Sequence, residues 1–147
     1  MPAYDPENIF AKILKGEIPA HKVHEDEHTL AFMDIMPRVT GHTLVIPKAP
    51  SRNLLEMEDE DLCHLMKTVR KVARAVKAAF DADGLLIQQF NEPAAGQVIF
   101  HTHVHILPRH EGEPLRPHTG EMADSEDLEA AAEKIRAALE RIEAEEG

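Results

Sequence analysis

The stretch His101-Thr102-His103-Val104-His105-Ile106-Leu107 sets three imidazoles two residues apart among β-forming neighbours. Side chains alternate along a strand, so His101, His103 and His105 share one face and Phe100, Thr102, Val104 and Ile106 the other. At the usual rise the outer two rings lie roughly 13 Å apart, so one metal ion reaches an adjacent pair more easily than all three. Three readings are open. The face is a histidine-rich surface, in a chain with ten histidines among 147 residues. It is a metal site, imidazole being a common ligand for zinc and its neighbours, although neither a CxxC nor an HExxH motif accompanies it. Or it does nucleophilic chemistry at phosphorus, for which a neutral imidazole is available at pH 7. In that case the flanking rings would fix the reactive tautomer, donate to phosphate oxygens and protonate a leaving group. Ala95-Gly96-Gln97, just upstream, offers a closely approachable backbone and a side-chain amide for the same purpose.

The elements that must position this face are legible from apolar spacing. Asp5 and Pro6 read as the cap and first turn of a short helix carrying Ile9, Phe10, Ile13 and Leu14, with Gly16 at its end. Strands are expected over 22–25, 29–34 and 42–46, the last stopped by Pro47. From about 59 to 82, Leu62, Leu65, Met66, Val69, Val72, Ala73, Val76 and Phe80 recur at helical steps, the stripe of a long helix lying on a sheet. Cys63 falls within that pattern as a small buried side chain, and Asp83-Gly84 supplies a left-handed cap. Strands over 85–90 and 97–107, joined by a short loop, form an antiparallel pair. Residues 109–124, with Gly112, Pro114, Pro117 and Gly120, read as irregular, and Ser125 caps a last helix over about 126–145. The class is α+β: about five mostly antiparallel strands, a long helix on one face, and short N-terminal and C-terminal helices.

Bulk properties bound the partners. The length suits one domain, with 1–115 carrying the histidine chemistry and 116–147 adding an irregular segment and an acidic helix to it. A single cysteine rules out an internal disulfide. A net charge of −11, from 27 acidic against 16 basic residues, repels a nucleic acid polymer but not a small phosphate compound. No signal peptide or membrane span is read, so the cytoplasm is the expected compartment.

Further residues carry a resemblance. His101 to Leu107 fits the HφHφHφφ signature of the histidine triad (HIT) family, with Thr102 at the first φ. Ile9-Phe10-Ala11-Lys12-Ile13, Glu17-Ile18-Pro19-Ala20, Leu30 to Ile35 and Gly41 to Lys48 resemble segments of the Hint-type and bacterial members in the same order. Ala95-Gly96-Gln97 and Leu107-Pro108-Arg109 look closer to the dinucleoside-polyphosphate-hydrolysing branch.

The resemblance implies a HIT-like fold and a nucleotide hydrolase or transferase acting at the α-phosphate of a purine nucleoside phosphoramidate or dinucleoside polyphosphate. His103 would be the nucleophile and form a nucleotidyl-histidine. His105 would contact the phosphate and the departing group, and His101 and His42 would support the ring of His103. Asn91, Gly96 and Gln97 would meet phosphate oxygens, and Asp34 the ribose hydroxyls. Ile9, Phe10, Ile13, Phe32, Ile35 and Leu44 would form the slot for the base, though on spacing alone most of them are simply core. The family chemistry needs no cofactor, with magnesium accompanying a polyphosphate at most, and its members are homodimers. Val98 departs from the Hint-type serine and removes one hydroxyl from the leaving-group side. The other reading is a nucleotide- or partner-binding module with little turnover, and a histidine metal site is a third.

Overall fold

The computed structural model describes residues 1–117 and 121–146. Helix α1 spans Ile9–Leu14 and is followed by strands β1 (Lys22–Glu25), β2 (Thr29–Met33) and β3 (Thr43–Pro47). Helix α2 (Asp59–Ala79) crosses to β4 (Gly84–Gln88), β5 covers Val104–Arg109, and α3 runs from Ser125 to Glu146. The strands form one sheet in the order β1-β2-β3-β5-β4, and each neighbouring pair is antiparallel. The expected α+β architecture is the observed one.

Alternation along the central strands sorts the apolar residues into two layers. Ala31 and Met33 of β2, Val45 of β3, and Val104 and Ile106 of β5 pack beneath α2 and α3. Leu30, Phe32, Leu44 and Ile46 point the other way and are covered by Phe10 and Ile13 of α1. Both faces are therefore buried, which is why β2 and β3 lack the apolar-polar alternation of a half-exposed strand. Helix α3 adds Leu128, Ala131, Ala132, Ile135, Ala138 and Leu139 to the α2 layer. Among the described residues no helix is long and apolar enough to cross a membrane.

Several local expectations are corrected. Asn8, not Asp5, caps α1, its side chain accepting the Ala11 N–H at 2.9 Å. Gly84 does not cap α2 but opens β4. The helix ends in a Schellman arrangement with Asp81 in the left-handed region (φ 46°), where Asp81 N–H donates to Ala78 and Ala82 N–H to Lys77. Cys63 and Met66 are exposed, so the buried stripe of α2 is narrower than its apolar content suggested. The irregular stretch after β5 is present over 110–117 and 121–124, while Gly120 lies outside the described residues.

The largest correction concerns the histidines. The last strand begins at Val104 rather than at Gln97, so only His105 belongs to it. Residues 101–103 leave the sheet because they pair with the segment after β3. Thr102 N–H donates to the Ser51 carbonyl at 2.9 Å, and the Ser51 and Thr102 hydroxyls meet at 2.7 Å. The three histidines therefore do not lie along one straight strand: the His103 and His105 ring centroids are 5.0 Å apart, while the His101 ring bonds to Tyr4 and the Pro47 carbonyl.

Candidate active site

Asp34 and His42 face each other across the β2–β3 connection. Its ends are tied by Asp34 N–H to the His42 carbonyl (3.0 Å), and within it His42 N–H turns back to the Val39 carbonyl (3.1 Å). Asp34 Oδ1 accepts the Met36 N–H at 2.9 Å, an Asx turn that aims the carboxylate. His105 reaches the same point from β5, where it is paired with Leu44.

Hydrogen-bond geometry assigns a tautomer to each ring. The Arg38 backbone N–H donates to His42 Nδ1 at 3.1 Å, so the neutral ring carries its proton on Nε2. That Nε2–H donates to His105 Nδ1 at 2.9 Å, with Asp34 Oδ2 3.5 Å away, and the His105 proton is therefore on Nε2. His103 Nδ1–H donates to the His101 carbonyl at 2.7 Å, which leaves the lone pair on Nε2. His101 Nε2–H donates to the Pro47 carbonyl at 2.8 Å. His103 thus presents an unprotonated nitrogen and His105 an N–H, with ring centroids 5.0 Å apart.

Burial reinforces this state. His101 is wholly enclosed, and desolvation pulls its pKa down to about 4 against the opposing bond to Pro47. Desolvation also lowers that of His103, so both rings are uncharged at pH 7. Asp34 moves the other way, burial raising its pKa to about 6 against the Met36 N–H bond.

The apolar residues divide. Phe10, Ile13, Phe32 and Leu44 form one buried cluster, and the Phe10 ring meets His103 edge-on at 4.9 Å. Ile9 and Ile35 stand outside it, each 39% exposed. In the loop before β5, Gly96 adopts φ +98° and is exposed. The Gln97 amide is committed to the protein. Its NH₂ donates to the Arg52 and Ile99 carbonyls, and its oxygen accepts from Asn53 and the Glu92 N–H. Asn91 accepts from the Leu54 N–H and pairs with Gln89. In this conformation Gln97 and Asn91 brace the loop, whereas the resemblance had them donate to phosphate. Val98, 82% exposed, projects from the same loop.

Sequence reasoning missed what holds that loop. Glu92 sits at φ 74°, a strained position for a residue with a side chain. Arg52 grips its carboxylate at 2.9 and 3.1 Å, Asn53 adds a bond at 2.6 Å, and the Arg52 guanidinium lies 4.1 Å over the Phe100 ring. The Ser51-Arg52-Asn53 stretch matches no motif, and its partners are about 40 residues away. A cavity of about 400 Å³, lined by Met33, Gly41, Phe80 and residues of α3, shares no residue with the histidine cluster.

Asp34, His42 and His105 are the one group of ligand-type side chains among the described residues close enough to share a metal ion. Their hydrogen bonding does not fit one. Ligation through His42 Nε2 requires its proton to move to Nδ1, where a backbone N–H already points. The cluster is built to orient protons.

The HIT domain family pattern matches residues 15–112 of the chain. Among solved structures, a HIT-like protein involved in cell-cycle regulation from Bartonella henselae, crystallised with an unknown ligand, is 53% identical. It aligns over 92% of this chain and 99% of its own, with a TM-score of 0.87. A zinc-bound histidine triad family protein from Mycobacterium smegmatis is 33% identical over 94% of this chain and 96% of its own, with a TM-score of 0.82. The adenylylsulfatase HINT3 of Arabidopsis thaliana is 38% identical over 117 residues, 76% of this chain and 59% of that protein.

Proposed function

The chain belongs to the HIT domain family, and from that premise we propose that it hydrolyses or transfers at the α-phosphate of a purine nucleotide, releasing a nucleoside monophosphate. The observation that carries this is the bond from His103 Nδ1–H to the His101 carbonyl, which leaves a lone pair on Nε2 of a buried, uncharged ring. Nε2 attacks phosphorus, an N–P bond forms, and the bond to an amine or phosphate leaving group breaks. The His101 carbonyl stabilises the charge that develops on the ring. The His105 Nε2–H, its direction set by His42, donates to the phosphoryl oxygens or the departing group. Water then attacks phosphorus and returns His103 to its resting state. Overall one water is consumed, its hydroxyl ending on phosphorus and its proton on the leaving group. The chain requires no cofactor for this, and magnesium enters only as the companion of a polyphosphate substrate. The relative named an adenylylsulfatase supports an adenylyl group as the part held. The test is AMP release from adenosine 5′-phosphoramidate and from a diadenosine polyphosphate, each with EDTA, the latter repeated with magnesium.

Asp34 is assigned to the ribose hydroxyls, both of which an ionised carboxylate can accept. Because its pKa is raised to about 6, the accepting form is lost as pH falls through that value. Adenosine, whose lack of phosphate removes a competing titration, is expected to bind several-fold more weakly at pH 5 than at pH 7.5. In Asp34→Asn the affinity should be low and flat with pH. Calorimetric titrations of both proteins check this, and an unchanged pH slope in the variant removes Asp34 from the ribose contact.

A homodimer is part of the same proposal. The edge strand β4 carries Ile87 and α2 carries Met66, each 46% exposed, and in the proposed dimer both are covered, a contiguous apolar patch being what marks such a surface. Light scattering on the purified chain should give twice the monomer mass, and Ile87→Lys with Met66→Lys should return it to the monomer value.

A further inference from the structure

Tyr4 has no part in the chemistry described so far, yet its hydroxyl lies 2.6 Å from His101 Nδ1, bridging 97 residues of chain. Its ring meets the His101 ring edge-on, with centroids 5.6 Å apart. The direction of the bond follows from the other side of the imidazole. The Pro47 carbonyl can only accept, so the His101 proton sits on Nε2 and Nδ1 must receive. Tyr4 is thus the donor.

We propose that Tyr4 is a positioning residue, its hydroxyl clasping His101 and thereby holding the backbone carbonyl that sets the tautomer of His103. The geometry is a chain of directed bonds. The Tyr4 O–H donates to His101 Nδ1, His101 Nε2–H donates to Pro47, and the carbonyl of the same His101 receives Nδ1–H of His103. The wholly buried His101 ring has donors or acceptors on both nitrogens only while Tyr4 is in place. Without the hydroxyl, Nδ1 is a buried acceptor lacking its donor, and the ring must shift or admit water to recover one. Any such shift moves the carbonyl that orients the nucleophile. The segment carrying Tyr4 is itself anchored, since Asn8 N–H donates to the Asp5 carbonyl and the Asn8 side chain caps α1. The residues preceding α1 therefore fasten to the reaction centre.

This rests on His103 as the nucleophile, and the experiment separates the two ideas. Tyr4→Phe keeps the ring and removes the donor, while Tyr4→Ala removes both. Long-range proton–nitrogen NMR of the resting protein reads the His101 and His103 ring nitrogens without any turnover. In Tyr4→Phe the His101 Nδ1 resonance should move to that of an acceptor without a donor. Turnover should fall roughly tenfold in kcat, with KM within about twofold, the pattern of lost positioning rather than lost binding. Thermal melting establishes that the variant is folded. A Phe variant with wild-type kcat overturns the proposal whether or not the nitrogen shift moves, and damage confined to Tyr4→Ala assigns Tyr4 to packing alone. If His103→Ala retains turnover, it is the nucleophile assignment that fails, and the nitrogen shifts still report on whether Tyr4 fixes His101.

Discussion

His103→Ala is expected to lower AMP release by about 10⁴-fold or more in a folded protein, the scale on which covalent enzymes lose rate when the nucleophile is removed. The size follows from the site. His103 Nε2 is the ring nitrogen left with a lone pair by the bond from its own Nδ1–H, and His105, its ring centroid 5.0 Å away, presents an N–H instead. No neighbour can take over the attack without reversing the bonds that orient it. Adenosine affinity should change little, because Asp34 and the α1 layer are untouched, and circular dichroism should match the wild type. Acid-quenched wild-type enzyme should carry a nucleotidyl adduct in its mass spectrum that the variant lacks. EDTA should leave turnover of the phosphoramidate unchanged. Substantial turnover by a folded His103→Ala protein would exclude the covalent route. Tight adenosine binding with no release from either substrate by the wild type would instead make this a binding module.

The fold was legible where the information is local. Apolar residues at helical spacing located α2 and α3, and the β-rich runs located an antiparallel β4–β5 pair, although the connection between them runs over 89–103 rather than the short 91–96 loop expected. What was hidden depends on distant partners. Nothing in His101-Thr102-His103 says that these residues leave the strand, since the cause is their bonding to Pro47 and Ser51. The resemblance brought His42 and Asp34 forward as site residues, with His42 expected against the ring of His103; the structure puts His42 between Asp34 and His105 instead. The pattern could not assign tautomers, because those are fixed by a backbone N–H at Arg38 and by the carbonyls of Pro47 and His101. Gln97 and Asn91 are another instance. Their amides suit phosphate, but a type of side chain does not reveal that Arg52, Glu92 and Gln89 already occupy it or its surroundings. Met66 shows the limit of periodicity itself, which finds an apolar stripe without saying which edge of it the subunit leaves exposed.

Ile135→Ala is expected to cost about 3 kcal/mol of stability, within the range for truncating a buried isoleucine. Helix α3 lies beyond the stretch matched by the family pattern, so the question is whether it is an appendage or part of the core. Ile135 has no exposed surface and belongs to the cluster built from α2 and the sheet. The helix is also tied to β1 at its edge, Arg136 donating to the Lys22 carbonyl and His21 meeting Glu129 at 3.0 Å. If α3 is integral, losing the side chain weakens the whole domain in one step. The sequence supplies the probe, for it holds one tyrosine and no tryptophan. Emission from Tyr4 reports the histidine side of the sheet, opposite α3, while far-ultraviolet circular dichroism reports mainly the helices. In urea both signals should move to the same lower midpoint, with the slope unchanged. Leu55→Ala, at a site 68% exposed, should shift neither by more than about 0.5 kcal/mol. A shift in dichroism with the cooperative step in Tyr4 emission left in place would mean that α3 unfolds alone, and the single-domain reading of residues 1–147 would have to be given up.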